Sequence, residues 1–259
     1  MNRVSVIPTS MPSDDPLPAK GADSVDPIPS DVRDPPWLLA AGGAVAMAVL
    51  PIALVGALID HGSRFAFDRA ILLAARDGTM HGTPVGPAWL AQAMVDVTAL
   101  GGPTILAIAV ALTCGFLAIR RRWVTIWLVL GATVTGSLAV ALAKGLVARP
   151  RPELTDHLVT ISSASFPSGH AANSAIIYLS IATILMQIVE GRAARSYILA
   201  AATLLVVAIG CSRVYLGVHW PSDVLAGWSF GILWAIAWWM LGARIRLRRR
   251  DHAIPDPRA

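Results

Sequence analysis

The sequence predicts an all-α membrane protein, a bundle of six transmembrane helices with short amphipathic surface helices between the first and second spans. Of the 259 residues, 55% are hydrophobic and only 14% are charged, whereas a soluble domain carries nearly twice that charged fraction. The mean hydropathy is +0.62. The apolar residues are also clustered in stretches of about 20, the length that crosses a ~30 Å hydrocarbon layer as a helix.

Six apolar stretches have about this length: residues 37–59, 103–119, 123–143, 171–189, 197–217 and 222–243. They are predicted to be helices because an open chain in a bilayer has to pair every backbone amide within its own segment. Residues 61–102 mix apolar and charged side chains, which favours two short amphipathic helices on or dipping into the membrane surface. In the alternative, residues 89–100 extend the second crossing as a long tilted helix, and the topology is unchanged.

The two ends of the chain differ in composition from this central part. Residues 1–35 are rich in proline and aspartate and poor in large apolar residues, which predicts a disordered tail. Residues 36–243 form the predicted six-helix membrane domain, and residues 244–259 form a basic tail.

The orientation follows from the arginines. If the N-terminal tail is cytoplasmic, six crossings place the basic residues at 120–122, at 192 and 195, and at 244–250 on the cytoplasmic side, as the positive-inside tendency requires. We therefore expect a multi-pass protein of the plasma (inner) membrane with both termini in the cytoplasm. Membrane lipids are the expected partners and nucleic acid is not, because no basic stretch is interleaved with exposed aromatic residues. The oligomeric state is not predicted.

Polar residues collect on the opposite, outward side. Charged groups near a bilayer are costly unless they share a polar cavity, so such a collection predicts a functional site. The loop between the third and fourth spans and the loop between the fifth and sixth contain the following residues: Lys144, Arg149, Arg151, Ser168, Gly169 and His170 in the first, and Ser212, Arg213, His219 and Asp223 in the second.

The side chains of these loops suit phosphoryl transfer. The guanidinium groups of Arg151 and Arg213 match the oxygens of a phosphate, and Lys144 adds a point charge. Ser168 and Gly169 precede the fourth helix, where a hydroxyl and backbone N–H groups at a helix N-terminus bind anions.

His219 and Asp223 are spaced i, i+4, so that Asp223 can hold one ring nitrogen of His219 and raise the basicity of the other. His170 is then free to protonate a leaving oxygen and to activate water. Each residue taken singly has an ordinary explanation: Lys144, for example, could be a snorkelling cation at a membrane boundary. Arg149 is interpreted as a surface cation that flanks the site.

In combination, the pattern Lys144-x6-Arg151-Pro152, Pro167-Ser168-Gly169-His170, Ser212-Arg213-x5-His219-x3-Asp223 resembles the signature of the type-2 phosphatidic acid phosphatase superfamily. The resemblance implies an all-helical core, no metal and no other cofactor, and a phosphohistidine intermediate. It implies His219 as the nucleophile, His170 as the general acid and Asp223 as the orienting partner of His219. Phosphate binding is implied for the remaining matched positions: Lys144, Arg151, Ser168, Gly169 and Arg213.

The expected function is therefore hydrolysis of a lipid phosphomonoester or diphosphate. Undecaprenyl diphosphate, phosphatidylglycerol phosphate and phosphatidic acid are the candidate substrates, and residue identities alone do not separate them. One alternative is a catalytically idle membrane protein that binds phospholipid head groups. A vanadate-binding haloperoxidase-like enzyme fits less well, because those relatives are soluble and larger. Residues 61–102 are a candidate gate for entry of the lipid tail.

Overall fold

The computed structural model describes residues 37–59, 65–76, 82–154, 156–159 and 163–251. Within these ranges the regular structure is helical, apart from an isolated β-bridge between Arg76 and Pro84. The predicted disordered tail at residues 1–35 and the end of the predicted basic tail lie outside the described residues. The helices, in chain order, are α1 (Trp37–Ile59), α2 (Ala66–Ala74), α3 (Ala88–Ala99), α4 (Pro103–Ile119), α5 (Trp123–Val147), α6 (Gly169–Leu185), α7 (Arg192–Tyr215) and α8 (Pro221–Asp251).

The all-α prediction is confirmed, and the helices follow the apolar stretches closely. α1 and α4 have the predicted bounds, and α2 and α3 occupy the region in which two short helices were expected. The differences lie mainly at helix ends. α5 continues four residues beyond residue 143, and α8 continues through the first part of the predicted basic tail to Asp251.

Three helices are each long and apolar enough to cross a membrane: α5, α7 and the Pro221–Arg246 part of α8. α3 and α4 meet this criterion as a pair, bent by 47° at the break between Ala99 and Pro103. α6 and the Leu39–Pro51 part of α1 are shorter apolar helices. By length and composition, the described residues therefore provide three candidate membrane spans, or four if the bent pair crosses as one.

α6 is the central helix and packs against α8, α7, α5 and α4. It approaches α8 closely because α8 carries Gly227 and Gly231 at the contact, a spacing that lets two membrane helices touch through their backbones. A Cβ atom added at Gly231 would lie 2.5 Å from the Cβ atom of Ala175, and one added at Gly227 would lie 2.7 Å from the carbonyl oxygen of Ser168. This contact places the N-terminus of α6 beside the N-terminus of α8.

Gly231→Leu is expected to destabilise the protein by about 1–3 kcal/mol or more, because the added side chain overpacks the α6–α8 contact. The measurement is thermal unfolding in detergent. Gly115→Leu on α4 is the matched control, since a Cβ atom there meets no atom within 4 Å. Equal melting temperatures for the two variants would contradict the close packing at Gly231.

Candidate active site

The candidate site lies where the ends of four helices meet. Lys144 is in the last turn of α5, and Arg213 is in the last turn of α7. Lys144 lies one residue beyond the predicted span 123–143, and α5 extends through it. Arg213 lies inside the predicted span 197–217. Ser168 is the N-cap residue of α6, and Asp223 is in the first turn of α8.

His219 and Asp223 form a buried pair. The distance from His219 Nδ1 to Asp223 Oδ2 is 3.6 Å, and the two side chains are 2% and 0% exposed. Asp223 Oδ2 also accepts hydrogen bonds from the backbone N–H of Trp220 at 3.0 Å and from the hydroxyl of Ser165. The carboxylate therefore faces one nitrogen of the imidazole, as the i, i+4 spacing predicts.

The other ring nitrogen of His219 faces a cation. His219 Nε2 lies 3.3 Å from Arg151 Nη1. A guanidinium can only donate hydrogen bonds, so Nε2 is the acceptor and the ring proton resides on Nδ1, towards Asp223. Burial lowers the pKa of His219 to about 4, although the neighbouring Asp223 opposes the shift. The imidazole is therefore neutral at physiological pH, with a free electron pair on Nε2.

Backbone carbonyls and two hydroxyls, those of Thr98 and Ser163, hold the three cations in place. Lys144 Nζ donates to the carbonyl of Ala164 at 2.8 Å, and Arg151 Nε donates to the carbonyl of Ser163 at 2.7 Å. Arg213 Nη1 donates to the hydroxyl of Thr98 at 2.9 Å. The segment that precedes α6 and the C-terminal end of α3 thus fix the cations without neutralising them.

Two buried polar atoms in this cluster have no hydrogen-bond partner among the described residues, Ser168 Oγ and Arg213 Nε. Buried polar groups are normally satisfied, so such a pair at one site points to a bound ligand as the partner.

Gly169 keeps the adjacent space open, since a Cβ atom there would lie 3.5 Å from Lys144 Cε. His170 is close enough to His219 and to all three cations for their charges to act on it. The structure therefore brings the eight predicted site residues together.

The interpretation of Arg149 as a surface cation is wrong. Its side chain is 5% exposed, and Nη1 donates to Asp223 Oδ1 at 2.6 Å and to the hydroxyl of Ser222 at 2.8 Å. Its Nη2 donates to Asp68 Oδ2 at 3.1 Å. The physical reason lies at the end of α5, where Ala148 adopts a left-handed conformation with φ of 48° and the chain turns so that Arg149 enters the interior.

Asp68 on α2 was missed by the sequence analysis. Its side chain is fully buried and accepts hydrogen bonds from the backbone N–H of Ser222 at 2.8 Å and from the Ser222 hydroxyl. Burial raises the pKa of the Asp68 carboxyl, while Ser222 and Arg149 act in the opposite direction. α2 thus buries a charge while Phe67 and Ile71 are exposed, and a carboxylate within such an apolar helix was the available signal.

The described residues contain no cluster of three His, Cys, Asp or Glu side chains that could hold a metal ion. The groups gathered at the site are instead three cations, two histidines and helix N-termini. This set binds an anion and can transfer a proton to or from it.

The sequence profile of the PAP2 superfamily matches residues 125–246, a range that contains all eight predicted site residues. Phosphatidylglycerophosphatase B of Bacillus subtilis (strain 168) is 37% identical over 151 residues, which cover 56% of this chain and 71% of that enzyme. The chain belongs to the PAP2 superfamily.

Two further comparisons agree with the PAP2 assignment. A decaprenylphosphoryl-5-phosphoribose phosphatase of Mycobacterium tuberculosis (strain ATCC 25618 / H37Rv) is 38% identical over 141 residues, covering 52% of this chain and 72% of that enzyme. The crystal structure of the first transmembrane PAP2 type phosphatidylglycerolphosphate phosphatase, from Bacillus subtilis, superposes with a TM-score of 0.66 at 29% identity, covering 78% of this chain and 96% of that one. Arg149 lies inside the range matched by the PAP2 profile, whereas Asp68 and Thr98 precede it.

Arg213→Gln is expected to weaken binding of inorganic phosphate and of orthovanadate about 10-fold, the effect of losing a charged hydrogen bond of about 1.4 kcal/mol to the anion. The measurement is the rise in melting temperature with anion concentration. Arg120→Gln is the control, since Arg120 is an exposed arginine in the α4–α5 turn. An unchanged anion response in Arg213→Gln would remove Arg213 from the binding set.

Proposed function

We propose that this PAP2 chain is a membrane lipid phosphatase that hydrolyses a phosphomonoester or diphosphate of a lipid through a phosphohistidine at His219. One observation carries the proposal: Nε2 of the buried His219 lies beside the guanidinium of Arg151, and Nδ1 faces the buried carboxylate of Asp223. Phosphoryl transfer requires positioning and charge stabilisation more than covalent chemistry by the protein, and this arrangement supplies both.

In the first step, Nε2 of His219 attacks the phosphorus atom and the bond from phosphorus to the lipid oxygen breaks. The negative charge of the bound phosphate favours the protonated form of His170. His170 then donates this proton to the leaving oxygen, so that the lipid departs as a neutral alcohol or, from a diphosphate, as the monophosphate. The positive charge that develops on the imidazole is stabilised by Asp223. Lys144, Arg151 and Arg213, with the Ser168 hydroxyl and the N-terminus of α6, bind the equatorial oxygens.

In the second step, water attacks the phosphorus atom of the phosphohistidine and the bond to Nε2 breaks. His170, left neutral by the first step, accepts a proton from that water. Inorganic phosphate is released, and His219 returns to its neutral form with the proton on Nδ1. The proposed cycle uses side chains and backbone N–H groups of this chain together with water.

Phosphatidylglycerol phosphate is the first substrate to test, because a curated relative and a solved relative both carry that activity in their names. The mycobacterial relative is named for a decaprenyl-linked phosphate, so polyprenyl substrates such as undecaprenyl diphosphate are tested as well. Phosphatidic acid completes this panel of substrate lipids.

We further propose six membrane crossings, by α1, α4, α5, α6, α7 and α8, with both termini in the cytoplasm. The site residues lie at one end of α5 to α8, and the arginines at 120–122 and at 192 and 195 lie at the opposite ends of these helices. The positive-inside tendency then places the arginines in the cytoplasm and the site at the outer face of the plasma membrane.

His219→Gln is expected to abolish phosphate release from every lipid of the panel, because glutamine cannot form the phosphohistidine. The assay is phosphate release from protein in detergent with a chelator present. It is combined with ³²P-lipid labelling quenched in alkaline dodecyl sulfate, in which wild type carries a base-stable, acid-labile adduct and His219→Gln does not. The exposed His157→Gln is the matched control. If the wild-type protein releases no phosphate, the alternative of an idle head-group-binding protein is favoured. Near-wild-type turnover by His219→Gln would refute the assignment of His219 as the nucleophile.

The exposed apolar residues of α2 are proposed to contact the lipid tail. Ile71→Lys is expected to reduce kcat/KM for long-chain phosphatidic acid about 10-fold or more, because a charge on a lipid-facing surface is costly. The dioctanoyl form should be affected much less. Ile71→Leu serves as the control for loss of the native side chain, and equal losses on both substrates would contradict the tail contact.

A further inference from the structure

We infer that Arg149 and Asp68 are positioning residues for the reaction: Asp68 holds Arg149, and Arg149 keeps Asp223 ionised and turned towards His219. The inference rests on the proposed function of His219 as nucleophile. It extends the His219–Asp223 pair to a chain of four charged or ionisable groups, the last of which comes from α2.

The geometry fixes the carboxylate of Asp223 from both sides. Oδ2 faces His219 and accepts from the Trp220 N–H and the Ser165 hydroxyl. Oδ1 accepts from Arg149 Nη1 at 2.6 Å. With each oxygen held separately, the carboxylate cannot rotate away from the imidazole unless Arg149 moves.

Arg149 is held in turn by Asp68 and by its surroundings. Its second nitrogen donates to Asp68 Oδ2 at 3.1 Å, and its Cζ atom lies 5.5 Å from the centre of the Trp220 ring. Asp68 Oδ1 accepts the backbone N–H of Ser222 in the first turn of α8. Asp68 therefore caps the helix that carries Asp223 and orients the cation that contacts it.

Charge balance gives Arg149 an effect that packing alone would not produce. The charged and titratable groups that act on Asp223 include His219, Arg149, Lys144 and Arg151. Asp68 lies on the other side of the Arg149 guanidinium. Among them, Arg149 makes the direct contact with the carboxylates of both Asp223 and Asp68. Without it, two buried carboxylates share one site, and such a pair retains a proton to higher pH. A protonated Asp223 no longer supplies the negative charge that stabilises the imidazolium formed at His219.

The decisive variant is Arg149→Gln, tested on the panel lipid with the highest kcat/KM. We expect kcat at pH 7 to fall about 10²-fold, less than the ~10⁴-fold loss known for removal of an aspartate that orients a catalytic histidine. KM should change less than about threefold, because Arg149 faces Asp223 and not the phosphate. The acid limb of the pH–rate profile should move to higher pH, so that the loss is smaller at pH 8.5 than at pH 6. Protonation of the substrate affects wild type and Arg149→Gln equally, so it cancels in the ratio of their rates.

Two further variants separate charge balance from structural support. In Asp68→Asn, Arg149 still contacts Asp223. We therefore expect kcat to fall less than about 10-fold and the acid limb of the pH–rate profile to stay where it is in wild type. Asp68→Asn/Arg149→Gln removes one charge of each sign, and its acid limb should return towards that of wild type. If Arg149→Gln does not fold, Arg149→Lys, which keeps the charge, is compared with the double variant.

Three results would overturn the inference: near-wild-type kcat in Arg149→Gln, an acid limb unmoved in that variant, or an acid limb equally displaced in the single and double variants. An inactive wild type, or an active His219→Gln, would instead overturn the proposed function. The two failures are therefore distinguishable within the same set of measurements.

Discussion

The structure depends on one electrostatic constraint, the matching of a fully buried carboxylate at Asp223 by the guanidinium of Arg149. An unpaired charge at such depth costs several kcal/mol, and breaking a buried pair by removing one partner costs about 3–5 kcal/mol. The match needs contributions from distant parts of the chain: the turn after α5 brings Arg149, α8 brings Asp223, and α2 brings Asp68. These contacts fix the turn after α5, the start of α8 and α2 relative to one another at the site.

Helix ends decide where the remaining charges can lie. Lys144 and Arg213 occupy the last turns of α5 and α7, where the partial negative charge of the helix favours cations. Asp223 lies in the first turn of α8 and Ser168 caps α6, at helix N-termini where the partial positive charge favours anions. Parallel packing of α6 and α8 through Gly227 and Gly231 brings their first turns together, so the packing of the bundle and the electrostatics of the site have the same geometric origin.

Much of this could be predicted from the sequence, and the parts that could not have a physical reason. Apolar length gave the bounds of α1 and α4, and motif spacing gave the eight residues that meet at the site. Arg149 was misread because spacing from Lys144 selects Arg151 and says nothing of the left-handed turn at Ala148, which directs Arg149 inward. Asp68 and Thr98 lie outside the motifs, and their contacts with Ser222 and Arg213 span more than 100 residues.

α2 joins two requirements of a lipid phosphatase within a few residues. Asp68 and Leu72 are buried, and Phe67 and Ile71 are exposed, so one side of the helix reaches the charge network while the other is available to apolar tails. On the proposed mechanism, the short helix that contacts the tail also holds Arg149, which contacts Asp223. A shift of α2 that follows the tail would move Asp68, and with it the hydrogen bonds to Arg149 and to the first turn of α8. Asp223 is the next group in this series of contacts, and His219, the proposed nucleophile, follows it.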